Sequence, residues 1–185
     1  MDYNNIKCIA RKIEGCNCRL LLGKGGYKPL VVIGLNPSTA DENIPDVTMR
    51  KIMGFISTWN KSGDKDYDSF IMLNLYPQRE TSPMELNKKS PTINENIHNR
   101  NMEMISNTLV SYPKADVLLC YGDSIEIIPW MKKCRDEVLK LLAQYSEVSL
   151  YCLGKLTIRK NPRHPCRLGY NTKLSSFHNP FRIDL

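Results

Sequence analysis

The chain has 185 residues, 42% of them apolar and 24% charged, and its 26 Lys+Arg against 19 Asp+Glu leave a formal net charge of +7. These proportions match soluble globular domains and exclude a disordered tail, a collagen-like repeat and a coiled coil. The length fits a single domain, 1–185, that can bury a core without disulfide or metal staples, and no window approaches the ~20 apolar residues of a membrane-spanning helix.

The opening segment, residues 1–12, lacks the apolar stretch of a signal peptide. Ile6–Ile13 and Cys18–Leu22 then flank Glu14-Gly15-Cys16-Asn17, the pattern of a β-hairpin, and Gly23-Lys24-Gly25-Gly26 reads as a turn. Leu30–Leu35 is a continuous apolar run that stops at Asn36-Pro37. Val47, Met49, Ile52, Met53, Ile56 and Trp59 recur at helical spacing. A second apolar run, Phe70–Leu73, leads into Asn74. A looser helical stripe follows at Ile93, Ile97, Met104, Ile105 and Leu109. The run Asp116–Tyr121, a helical stretch Ile125–Tyr145 with Pro129 near its start, and the run Val148–Leu153 complete the series. Continuous apolarity marks strands buried on both faces, and strand–helix alternation predicts crossover connections. The expected fold is a three-layer αβα domain with a four-stranded parallel central sheet, plus an N-terminal β-hairpin.

Charge is concentrated at the end of the chain. Residues 155–185 hold Lys155, Arg159, Lys160, Arg163, Arg167, Lys173 and Arg182 against Asp184 alone, nearly the whole positive excess. Such a segment suits a polyanion, with DNA the expected partner. Seven Cys at scattered positions fit a reducing compartment, so a cytoplasmic monomer is expected. Cys16 and Cys18, with Cys8 nearby, lack the usual metal-ligand spacing, and the glycines of 23–26 precede a strand rather than a helix, unlike a phosphate-binding loop. No metal and no cofactor is expected.

Ligand sites in open α/β sheets lie beyond the carboxyl ends of the strands. The polar residues at those ends are Asn36-Pro37-Ser38-Thr39-Ala40-Asp41, Asn74 with Tyr76, Tyr121-Gly122-Asp123-Ser124, and Arg163-His164. Pro37 holds Asn36 extended, so its amide leaves the sheet edge. Asn74 interrupts an apolar run, where an unpaired amide costs about 1–3 kcal/mol, and an amide offers both donor and acceptor for a base edge. His164 can donate to a developing anion. His98 lies in a polar helical stretch and reads as solvated.

Two resemblances meet at these residues. Leu35-Asn36-Pro37-Ser38-Thr39-Ala40-Asp41, with Asp46 and Thr48, Asn74-Leu75-Tyr76 and Arg163-His164-Pro165, resembles an uncharacterised bacterial and phage family, over roughly residues 18–170. The same segments resemble the uracil-DNA glycosylase superfamily. Gly34-Leu35-Asn36-Pro37 is similar to the element whose Asn positions the attacking water in the mismatch-specific branch. Met72-Leu73-Asn74 is similar to the strand end that reads uracil. His164-Pro165-Cys166-Arg167-Leu168 is similar to the segment whose His supports the departing base and whose Leu wedges into the duplex. The chain departs from these patterns. It has Asn36 where the uracil-specific enzymes carry Asp, Ser38 where the mismatch-specific branch commonly has Gly, and Cys166-Arg167 for Ser-Pro.

The resemblance implies hydrolysis of the N-glycosidic bond of a uracil-like or modified base in DNA, with base flipping. Asn36 would orient water and His164 stabilise the leaving base, with Asp41 or Asp46 as the assisting carboxylate. Pro37, Ser38, Asn74, Tyr76, Tyr121 and Leu168 would contact the substrate, and Lys160, Arg163 and Arg167 its phosphates. The alternatives are a nucleotide or nucleoside N-glycosidase, and a nucleic-acid-binding or phage-accessory protein without catalysis.

Overall fold

The computed structural model describes residues 3–182; Asp184, counted in the basic segment above, lies outside the described residues. The strands are β1 (Lys7–Ile13), β2 (Cys16–Lys24), β3 (Pro29–Gly34), β4 (Ser69–Asn74), β5 (Asp116–Leu119), β6 (Ser149–Leu153) and β7 (Leu174–Ser176). The helices are α1 (Val47–Ser62), α2 (Pro83–Lys89), α3 (Glu95–Ser111) and α4 (Met131–Ala143), with 3-10 turns at Asp123–Ile127 and Pro165–Arg167.

All seven strands form one sheet in the order β1-β2-β4-β3-β5-β6-β7. The pairings of β4 with β3, β3 with β5 and β5 with β6 are parallel. Those of β1 with β2, β2 with β4 and β6 with β7 are antiparallel. The expectation of a four-stranded parallel sheet of the uracil-DNA glycosylase kind, with the hairpin appended, is therefore wrong: the sheet is seven-stranded and mixed. The cause is local. Leu22 pairs with Met72 and Gly23 with Ile71, because Gly23 has no side chain to hold the two backbones apart; a Cβ there would lie 2.3 Å from the Phe70 carbonyl oxygen. Residues 23 and 24 thus extend a strand rather than form a turn.

Helices cover both faces. Leu30, Val32, Phe70, Met72 and Leu118 pack against Met49, Ile52, Phe55, Ile56 and Trp59 of α1. Val31, Ile33, Ile71, Leu73 and Val117 pack on the other face against Ile97, Ile105 and Leu109 of α3 and Val138, Leu139 and Leu142 of α4. The helical stretch expected over Ile125–Tyr145 is broken, since Pro129 supplies no N–H for a continuous ladder, and α4 begins only at Met131. His98 is fully buried rather than solvated; its Nε2 lies 2.7 Å from Glu137 Oε2 and joins α3 to α4. Among the described residues no helix is long and apolar enough to cross a membrane.

Candidate functional site

The connection leaving β3 runs to β4 on one side, while β5 lies on the other. Sheets of this kind place ligands at such a switch point, beyond the carboxyl ends of the strands. A cleft of about 390 Å³ opens there, lined by Gly34 of β3, Asn74 of β4, Cys120 and Tyr121 after β5, and the first turn of α1.

Asn74 forms its floor. It is 1% exposed, and neither its Nδ2 nor its Oδ1 has a hydrogen-bond partner. Its backbone is held from behind: Asn101 of α3, itself fully buried, donates from Nδ2 to the carbonyls of Asn74 at 2.9 Å and Leu75 at 3.2 Å. Gly34 leaves room for the amide, since a Cβ there would sit 2.6 Å from Met72 Cε and 3.0 Å from Asn74 Oδ1.

Asn36 stands on the cleft wall. Its Nδ2 donates to the carbonyls of Pro37 at 3.1 Å and Glu80 at 2.9 Å, which commits the donor side of the amide and leaves Oδ1 as the acceptor. Asp46 caps α1, its Oδ1 accepting from Met49 N–H at 2.9 Å. Its second oxygen has no cap to serve.

His164 closes the opposite side. Its Nδ1 accepts from the Cys166 N–H at 3.4 Å, which assigns the proton of the neutral ring to Nε2. His164 is exposed by accessible surface, although the cleft walls crowd it; partial loss of hydration lowers its pKa, opposed by Asp46 and reinforced by Arg167. The backbone of Gly122 has φ 69, and a Cβ on it would meet His164 Cβ at 3.0 Å. The neighbouring loop is fastened by Asp123, whose Oδ1 accepts from Thr157 Oγ1 at 2.7 Å and Asn161 Nδ2 at 2.9 Å.

One cleft residue carries a charge that sequence reading missed. Arg19 of β2 is 2% exposed. Its Nη1 donates to the Ala40 carbonyl at 2.8 Å, its Nε has no partner, and burial lowers its pKa to about 10, so it stays charged at neutral pH. Arg79 backs the same loop, donating to the carbonyls of Ser38, Thr39 and Ala40. The signal was present: a charge inside the run Cys18–Leu22 is as anomalous as Asn74 inside Phe70–Leu75. Thr48 and Ser124 also line the cleft.

The family model described as a protein of unknown function, DUF1643, matches residues 19–166. The chain belongs to that family. Comparison with curated proteins and comparison with solved structures found no match. The DUF1643 match assigns no activity, and the seven-stranded mixed sheet does not match a uracil-DNA glycosylase fold. The superfamily membership suggested by the motifs is therefore withdrawn, and with it the DNA-repair and base-flipping roles it implied.

Within the DUF1643 region the cleft gathers Asn36, Ser38, Asp46, Asn74, Tyr121 and His164. Other expected site residues serve elsewhere. Asp41 Oδ1 accepts from the N–H groups of Asn43 and Ile44, forming a local turn. Pro37 is buried and gives its carbonyl to Glu80 N–H. Tyr76 is fully buried and packs edge-on against Trp130. Leu168 packs partly against the α1-side core and, with Arg163 and Arg167, lines a second groove that shares His164 and Ser124 with the cleft. Lys160 opens onto a different hollow, beside Arg135 and Asp136. Arg182 donates from Nη2 to the carbonyls of Tyr145 and Val148, a structural clamp. Among the described residues no group of three or more His, Cys, Asp or Glu side chains is placed to hold a metal.

Proposed function

We propose that the cleft binds a nucleobase by its hydrogen-bonding edge and that the chain hydrolyses the N-glycosidic bond joining that base to its sugar. One observation carries this reading: Asn74 presents a buried donor and a buried acceptor side by side, both unpaired, at the cleft floor. A heterocycle with adjacent acceptor and donor, such as the lactam edge of a pyrimidine, satisfies both at once, and the cleft volume falls within the usual range of small-molecule sites, about 300–1,000 Å³.

The remaining groups suit hydrolysis. Water held by Asn36 Oδ1 would attack C1′ of the sugar while Asp46 takes one of its protons. The C1′–N bond breaks, its electron pair leaves with the base, and the neutral His164 donates from Nε2 to that developing anion. Arg163 and Arg167 in the adjoining groove would meet further phosphates if the base is carried on a DNA strand.

The test is single-turnover release of free base from pyrimidine nucleosides, their monophosphates and oligonucleotides containing the same bases. Wild-type release from at least one class is expected. Removing one charge-stabilising donor commonly costs about 10²–10³ in rate, so His164→Ala and Asn36→Ala should slow release on that scale while binding persists. Binding without release from any class would reject hydrolysis, and undiminished release in both variants would reject the site.

A further inference from the structure

The cleft also holds a buried positive charge that no carboxylate touches among the described residues. Arg19 is almost wholly buried, forms no ion pair among the described residues, and keeps Nε without a partner on the cleft wall. Asp46 is the carboxylate whose field acts on Arg19, but it makes no ion pair with it among the described residues and spends one oxygen on the Met49 N–H; Glu80 pairs with Lys89 at 2.7 Å. Arg79 adds a second positive charge behind the Ala40 carbonyl. Facing the same space is the start of the 16-residue helix α1: Asp46 at its N-cap takes the Met49 N–H, the first turn itself has no acidic residue, and Val47 and Thr48 lie on the cleft surface, the Thr48 hydroxyl 3.5 Å from Cys166 Sγ. The N–H groups of a helix's first turn favour an anion, and a buried guanidinium that no carboxylate contacts favours one beside it.

We propose that Arg19 and the first turn of α1, with the Thr48 hydroxyl, form an anion subsite inside the cleft, and that the substrate is a nucleoside monophosphate whose phosphate occupies it. This rests on the nucleobase reading of the same cleft. It adds that the phosphate is recognised within the pocket, beside the base, rather than by the exposed arginines of the adjoining groove. Guanidinium and helix N–H groups bind phosphate oxygens by charge-assisted hydrogen bonds.

Calorimetric titration with uridine, cytidine and thymidine, each against its 5′-monophosphate, tests the subsite. Hydrogen bonds to a charged group predict that the best nucleotide binds about 10- to 100-fold tighter than its nucleoside. Arg19→Gln should bring that ratio close to one, whereas Asn74→Ala should weaken nucleoside and nucleotide alike and preserve it. Wild-type affinities that do not distinguish nucleotide from nucleoside, or a ratio unchanged by Arg19→Gln, would overturn the proposal. Should Arg19→Gln not fold, Thr48→Val and displacement by inorganic phosphate decide: phosphate must compete with the nucleotide and not with the nucleoside. If no nucleoside or nucleotide binds, thermal stabilisation by inorganic phosphate, lost in Thr48→Val, keeps the anion subsite while the nucleobase reading falls. Absence of that stabilisation removes the subsite.

Discussion

His164 shows how one side chain links stability to the proposed chemistry. Its Nδ1 accepts a backbone hydrogen bond that only the neutral ring can accept, and partial loss of hydration lowers its pKa; the residue is exposed, so solvent screening keeps the effect on stability small. The unfolded chain therefore takes up a proton at higher pH than the folded one. Stability from this residue is fully present above about pH 6.5 and declines as pH falls through the lowered folded value. Urea midpoints measured between about pH 5 and 8 should drop on the acid side, and His164→Asn should lose part of that slope. Identical acid slopes in the two proteins would remove His164 from the account.

The elements of the sheet were only partly legible in the sequence. The four continuous apolar runs coincide with β3, β4, β5 and β6 because burial on both faces leaves little room for polar residues. The edge pairings were not visible, because a strand's apolar pattern says which faces are buried and not which neighbour it bonds. β7, three residues of mixed exposure, carries almost no pattern, and α2 is seven residues, too short for periodicity to register. The join between β2 and β4 has one identifiable sequence determinant, Gly23. An alanine there would place its Cβ 2.3 Å from the Phe70 carbonyl oxygen and 2.8 Å from Ile71 Cα. Both are backbone atoms of a central strand and cannot yield as a side-chain tip would. Gly23→Ala should lower stability by about 1–3 kcal/mol, the usual cost of overpacking a dense interior, read as a shift of the urea midpoint. A midpoint equal to wild type would mean that β2 is not seated on β4 as described.

Across the whole molecule, the two ends of the sheet differ in their polar groups, although the Nε of Arg182, near the amino end of β6, is also buried and unpaired. At the amino end of β5, Asp116 accepts from Lys65 Nζ and Tyr67 Oη, each at 2.6 Å, and Lys65 also donates to Tyr151 Oη at 3.2 Å. At the carboxyl end, Asn74 and the Nε of Arg19 stand buried and unpaired. Asn36, Asn74 and His164 were legible in the sequence as polar residues at the ends of apolar runs. Arg19 carried the same signal, a charge inside an apolar run, but that run read as a peripheral hairpin and masked it, and Asn101 was lost in a helix rich in polar residues. The asymmetry separates stability from function. Tyr67→Phe removes a hydrogen bond to a largely buried carboxylate and should cost about 1.5–3 kcal/mol, with base release from the folded fraction unchanged. Asn74→Leu removes two unsatisfied polar atoms in exchange for an apolar group of similar size. It should keep wild-type stability or gain up to about 1–3 kcal/mol, while nucleobase binding and release are lost. Urea denaturation and base release measured on both variants check the pair. A large loss of stability in Asn74→Leu would show that its amide serves the fold rather than a ligand.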